Sequence, residues 1–163
     1  MSERPTHTSA SPQKLLLSYV GKWQGNTKTW IEPGTTPDAS PWHGEIVAIL
    51  GESFLEYTYT GSFQGKSFEG KALIGPEPSS SPNNNIEMAW IDSMHQSGAI
   101  MVCKGQIILS GFSVLGSYSA GDQLWGWRTE FALLDADHLT IRAYNITPDG
   151  VEHLGIETVY SRS

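Results

Sequence analysis

The chain has little of what most often discloses a function. Cys103 is the single cysteine in 163 residues, so no intrachain disulfide can form. Only ten lysines and arginines are present, dispersed along the chain, and the net charge is -7 with a pI near 5.1. Binding to a phosphate backbone rests on clustered cations, so this balance argues against a nucleic-acid partner. No apolar run approaches the roughly 20 residues needed to cross a bilayer, and no strongly basic amphipathic stretch is available to lie on one. Residues 1–6 lack the apolar core of a secretory signal, which with the lone cysteine gives a cytoplasmic expectation. Histidines 7, 43, 95, 138 and 153 show neither HxH nor HExxH spacing, so no metal and no cofactor is expected. Gly61 to Ser67 is one residue short of a phosphate loop, and Gly111 to Leu115 lacks the second glycine of a nucleophile elbow. Asn145-Ile146-Thr147 fits a glycosylation sequon, but Pro148 follows and no export signal precedes it.

What is present is a strand-rich pattern. The segment Gly21-Lys22-Trp23-Gln24-Gly25 follows a short apolar run, Leu15 to Leu17. A large ring between glycines suits the first strand of a small β-barrel, where the indole plugs one end and the backbone bends closely around it. Residues 1–10 are polar and read as a disordered tail, and residues 11–163 read as a single domain. Ser11-Pro12 offers a hydroxyl cap and a proline at the first helical position, with Leu15, Leu16 and Tyr19 as the apolar face of one short helix. Strands are expected over 21–31, 43–50, 53–62, 66–75, 85–93, 98–109, 112–119, 123–134, 138–146 and 151–162. Pro148-Asp149-Gly150 marks the hairpin between the last two.

Sequential hairpin-linked strands form a sandwich or close into a barrel, and closure removes exposed edges. The expected fold is therefore an all-β, antiparallel up-and-down barrel of about ten strands with one short N-terminal helix. Phe68, Gly70, Ala72 and Ile74 share one face, as do Trp125, Trp127, Thr129, Phe131 and Leu133. Residues 98–109 are apolar on both faces, which predicts cover by the helix or by a second subunit, a homodimer.

The segments Gly21 to Gly25, Leu50-Gly51-x-x-Phe54-Leu55-Glu56-x-x-Tyr59-x-Gly61-x-x-x-Gly65-x-x-Phe68-x-Gly70-x-x-x-x-Gly75, and Trp90-Ile91-Asp92-Ser93-Met94 resemble a bacterial family of uncharacterised proteins, a domain of unknown function. The resemblance runs from about residue 15 to the Tyr160-x-Arg162 ending and implies a lipocalin-like fold. The Gly-x-Trp start is similar to that of calycin barrels, including haem-binding nitrobindin-like ones. No activity comes with it. Gly75-Pro76-Glu77 and His95-Gln96-Ser97-Gly98 depart from the family's pattern, and the second places an imidazole near Asp92.

Several residues are candidates for chemistry. Trp23 either touches a ligand at the barrel floor or is a structural plug, the latter favoured. Trp90, Asp92 and Met94 share a strand face beside His95; a buried carboxylate there is a candidate general base, while the simpler role is a strand-end Asp that orders the next turn. Arg128 and Glu130, with Arg142 and Glu157 on the following strands, suit either a carboxylate head group inside the barrel or an outer ladder of cross-strand pairs. The outer ladder is favoured, because Trp125, Trp127 and Phe131 hold the opposite face. His153 on the last strand is the haem candidate, a minor expectation. Cys103 reads as a small core or interface residue.

The leading expectation is a barrel that binds a small, largely apolar molecule, with Trp23, Tyr57, Phe68, Trp90 and Trp127 as lining and Asp92 and Arg128 as polar specificity groups. An enzyme using Asp92 and His95 for proton transfer, and an assembly protein with a filled barrel, are the alternatives.

Overall fold

A computed structural model describes residues 11–78, 83–94 and 98–163. The expected tail and His95 lie outside the described residues. One helix, α1 (Pro12–Leu17), is followed by ten strands: β1 (Gly21–Thr29), β2 (Asp38–Ile49), β3 (Phe54–Phe63), β4 (Lys66–Pro76), β5 (Asn85–Asp92), β6 (Met101–Ile108), β7 (Gly111–Ala120), β8 (Gln123–Asp135), β9 (His138–Ile146) and β10 (Glu152–Arg162). Every strand pairs antiparallel with its neighbour in sequence, and β1 pairs with β10 from Trp23↔Arg162 to Thr29↔Ile156, which closes the barrel. The sheet has no open edge, as the sequence pattern predicts.

The helix starts as its sequence dictates. Ser11 Oγ accepts from the Lys14 N–H at 3.3 Å and Pro12 takes the first turn, where its missing donor costs nothing. Leu16 is buried, and Gln13 Nε2 donates to the Glu52 carbonyl in the β2–β3 turn at 2.9 Å. The helix therefore sits across the barrel end that carries that turn, against β3 and β4. It does not cover β6, contrary to one expectation: Ile100 and Val102 stay 68% and 61% exposed on the outer wall.

The helical end is filled with rings. Tyr19, Trp23, Phe112, Phe131 and Tyr160 are at most 2% exposed. Tyr19 Oη donates to the Phe131 carbonyl at 3.0 Å, and Trp23 Nε1 donates to the Tyr19 carbonyl at 3.0 Å, so neither polar tip is left unpaired by burial. Phe112 and Phe131 stack at 4.7 Å, and each fully buried Phe contributes about 1.5–3 kcal/mol through the water it sheds. Arg162 lies over Trp23, its Cζ 4.2 Å from the ring centroid, and its guanidinium donates to the Val20 and Ala136 carbonyls. This side chain ties the last strand to the α1–β1 and β8–β9 connections. Gly25 is required here, since a Cβ would lie 1.8 Å from the Val159 carbonyl oxygen.

At the other end lie the β1–β2, β3–β4, β7–β8 and β9–β10 connections. Gln64 and Gly65 have φ of 49° and 75°, the two positive values that suit a tight two-residue hairpin to the twist of its strands. Pro148-Asp149-Gly150 makes the expected turn, with the Gly150 N–H donating to the Thr147 carbonyl at 2.8 Å. Strand β2 begins at Asp38, five residues before the expected start, and carries Pro41 within it. Among the described residues no helix is long and apolar enough to cross a membrane.

Candidate functional site: the open end of the barrel

Strand alternation sends Tyr57 and Tyr59 of β3, Met88 and Trp90 of β5, Trp127, Thr129 and Phe131 of β8, and Ile141 and Ala143 of β9 into the lumen. Their rings nearly fill it. Trp42 stacks on Tyr59 at 5.2 Å, Tyr59 on Tyr57 at 5.0 Å, and Trp90 on Trp127 at 5.8 Å with planes 6° apart. Trp90 Nε1 donates to Tyr59 Oη at 2.6 Å, Tyr57 and Tyr160 hydroxyls share a bond of 3.0 Å, and Thr27 and Thr158 hydroxyls one of 2.8 Å. Among the described residues no buried side-chain polar atom lacks a partner. Burial holds the Tyr19, Tyr57 and Tyr59 hydroxyls well above the usual tyrosine range and pushes Tyr160 up to about 12.

What remains hollow is a cavity of about 60 Å³ at mid-barrel, walled by Tyr57, Tyr59, Met88, Trp90, Trp127 and Ile141 among others. Above it, at the open end, lies a vestibule of about 410 Å³. The indoles of Trp90 and Trp127 belong to both spaces and form the partition between them. Trp30, Phe63, Tyr118 and Asn145 complete most of the vestibule wall, and among the described residues no charged side chain lines it.

The wall is built by local chain geometry. The β9–β10 register shifts between Leu154 and Ile156, and the bulged residue is Gly155, whose carbonyl accepts from the Trp30 N–H at 2.9 Å. That bond fixes the start of the β1–β2 connection over the lumen. A Cβ on Gly155 would lie 3.0 Å from Asn145 Nδ2 and 3.7 Å from Trp127 Cη2, so the glycine keeps the amide and the indole edge open to the vestibule. Tyr118 Oη donates to Asn145 Oδ1 at 2.6 Å, and burial raises the Tyr118 hydroxyl. Asn145, the sequon asparagine, thus points its side chain inward.

The expected site residues divide. Tyr57, Trp90 and Trp127 line the cavity. Trp23 lies in the plug at the helical end, and Phe68 packs edge-on against Trp42 at 4.9 Å, outside the ring of cavity-lining residues. Arg128 is on the outer wall, not in the lumen: the odd residues of β8 from 127 to 131 take the inner face. Its guanidinium donates to Glu152 at 2.5 and 2.8 Å and to Glu130, and sits 4.2 Å from the Tyr144 ring centroid. Arg142 pairs with Glu157 at 2.8 Å on the same wall, so these charges form the cross-strand ladder. Asp92 shares the face of Trp90 at the end of β5, and its Oδ1 accepts from the Met94 N–H at 2.8 Å, the bond of a turn-ordering aspartate.

His153 lies opposite Asn145 in the β10–β9 register, yet no histidine among the described residues lines the cavity or the vestibule, so the residues present do not fit a haem ligand set. Among the described residues no three His, Cys, Asp or Glu side chains gather to hold a metal ion. A larger concavity of about 780 Å³ crosses the outer wall from β1 to β5, but it is open and bordered by Lys22, Glu45, Glu69 and Lys71, a solvated mixture of both signs.

Sequence reasoning did not single out Trp30, Phe63, Tyr118 or Asn145. Three of them sit at strand ends or in a loop, where alternation gives no direction, and Asn145 was legible only through its place on the Ile141, Ala143 face of β9.

The family described as "Protein of unknown function (DUF1579)" matches residues 8–162. The fold is similar to that of the crystal structure of Rv2717c from M. tuberculosis, with a TM-score of 0.65 and 15% identity over 94% of this chain and 98% of that one. It is also similar to the S-type phycobiliprotein lyase CPES from Guillardia theta, with a TM-score of 0.58 and 10% identity over 94% and 93% of the two chains. At these identities the likeness is one of barrel fold. No curated protein sequence matches the chain.

Proposed function

We propose a small-molecule-binding role for this chain, which belongs to the DUF1579 family of proteins of unknown function. The observation that carries the reading is the asymmetry of the lumen. One end is packed solid with hydrogen-bonded rings, while the other opens into an uncharged aromatic vestibule of about 410 Å³, within the size of ordinary ligand pockets. The glycine bulge at this end leaves the inward amide of Asn145 and the Trp127 edge uncovered. The ligand is largely apolar, because the vestibule offers aromatic faces and few polar groups. It sits on the Trp90–Trp127 partition rather than deep in the barrel, since the cavity of about 60 Å³ behind the indoles is too small for it.

The test is a fluorescence titration with N-phenyl-1-naphthylamine, an uncharged apolar probe, on the protein and on Gly155→Leu. The leucine fills the vestibule at a position whose backbone accepts a side chain. Saturable one-to-one binding that Gly155→Leu lowers at least tenfold supports the reading. Absence of binding, or binding that Gly155→Leu leaves unchanged, removes it. Native mass spectrometry with an absorbance scan on protein from its own host then identifies the natural ligand class.

A further inference from the structure

The vestibule carries more than apolar surface. Its wall combines the aromatic side chains of Trp30, Phe63, Trp90 and Trp127 with two amides, Gln64 of the β3–β4 turn and Asn145 of β9. Tyr118 has one proton to donate, and it goes to Asn145 Oδ1 at 2.6 Å. This bond orients the amide, so that Nδ2 is the end turned toward Gly155 and the vestibule. Asn145 Nδ2 therefore presents a donor at the edge of an aromatic slot. A donor buried by a ligand that offers no acceptor costs free energy, whereas one met by an acceptor is roughly neutral or favourable. The slot thus discriminates by acceptor as well as by shape.

Charge narrows the class further. No lysine, arginine, aspartate or glutamate among the described residues lines the vestibule, so an ionised ligand would shed water there without a counter-charge. We infer that the vestibule takes an uncharged, flat aromatic molecule bearing a carbonyl-type acceptor, its ring against the indole partition and its oxygen on Asn145 Nδ2. This rests on the vestibule being the binding site.

The experiment compares three probes that share one ring system: 2-acetylnaphthalene, 2-ethylnaphthalene and sodium 2-naphthoate. Affinities are read from tryptophan quenching on the full chain. The ketone is expected to bind roughly tenfold tighter than the ethyl compound, the size of one satisfied against one unsatisfied hydrogen bond. The naphthoate is expected to bind at least tenfold more weakly than the ketone. In Asn145→Leu the preference for the ketone over the ethyl compound collapses to less than about twofold, because neither probe then buries an unmet donor. Equal affinity of ketone and ethyl compound in the unaltered protein overturns the acceptor assignment while leaving the binding site standing, and so does a ketone preference that survives Asn145→Leu. Naphthoate binding as tight as the ketone overturns the exclusion of charge. If none of the three binds, the vestibule reading itself falls. Should Asn145→Leu fail to fold, the probe comparison on the unaltered protein decides alone.

Discussion

Alkaline pH should unfold this barrel along a slope set by its buried tyrosines. Tyr19, Tyr57, Tyr59 and Tyr160 are between 0% and 6% exposed, and burial disfavours their phenolate forms, raising all four above the ordinary value of about 10. In the unfolded chain they ionise near pH 10. Above that pH the native state binds more protons than the unfolded state, so stability must fall as pH rises. Below it the contribution is fully present. Each tyrosine that ionises only on unfolding removes about 1.4 kcal/mol per pH unit, and four acting together remove about 5 kcal/mol per unit. Tyr160 itself ionises from about pH 12, where its share levels off. A domain of ordinary stability, about 5–15 kcal/mol, is then lost between roughly one and three units above pH 10. Urea denaturation followed by circular dichroism at half-unit steps from pH 8 to 12 gives the slope. Absorbance at 295 nm reports phenolate in parallel and should rise for these four only as the fold is lost. Tyr57→Phe should lower the slope by about one quarter, whatever it does to stability at pH 8. A flat stability between pH 10 and 11, or four phenolates appearing in the folded protein, would refute the reasoning.

Three other outcomes follow from the packing. Arg162→Ala should cost about 2–3 kcal/mol by urea denaturation, through the lost stacking on Trp23 and the carbonyls of Val20 and Ala136 left without their donor; Arg162→Lys should recover less than half, since an ammonium lacks the planar fork. Gly25→Ala should cost about 3 kcal/mol, because its methyl meets backbone rather than a movable side chain, and the melting temperature should fall accordingly. Cys103 is 0% exposed with its thiol pushed up to about 11 by burial, so Ellman's reagent should react with it only at the rate of unfolding.

Much of the barrel was legible because its physics is local. Alternation over Trp127, Thr129 and Phe131 placed those side chains inside, and the structure keeps them there, whereas Arg128, expected as a polar group at the ligand, lies with Glu130 on the outer wall. Ser11-Pro12 and Pro148-Asp149-Gly150 set their helix and turn by dihedral preference alone. Strand β2 was read short because Pro41 signals a loop; here it stands opposite Asn26 inside the ladder. The lumen was not legible. Whether inward rings touch across a barrel depends on shear and on pairs far apart in sequence, such as Trp90 with Trp127 and Tyr57 with Tyr160. The Gly155 bulge, which opens the vestibule, is marked in β10 only by an isolated glycine, a sign that gives neither the register shift nor what the bulge exposes.

The seam between β1 and β10 has a consequence for how the chain reaches this state. Trp23 meets Arg162, so the ladder that seals the barrel joins strands more than a hundred residues apart, while the other nine ladders join sequence neighbours. Nine local hairpin steps leave a curled sheet with two raw edges, and only the tenth, bearing most of the loop-closure entropy, removes them. Folding should wait on that step, and the open-edged sheet before it is the species most exposed to pairing with another chain. Arg162, which clasps Trp23 across the seam, is thus placed to govern how often the barrel comes undone.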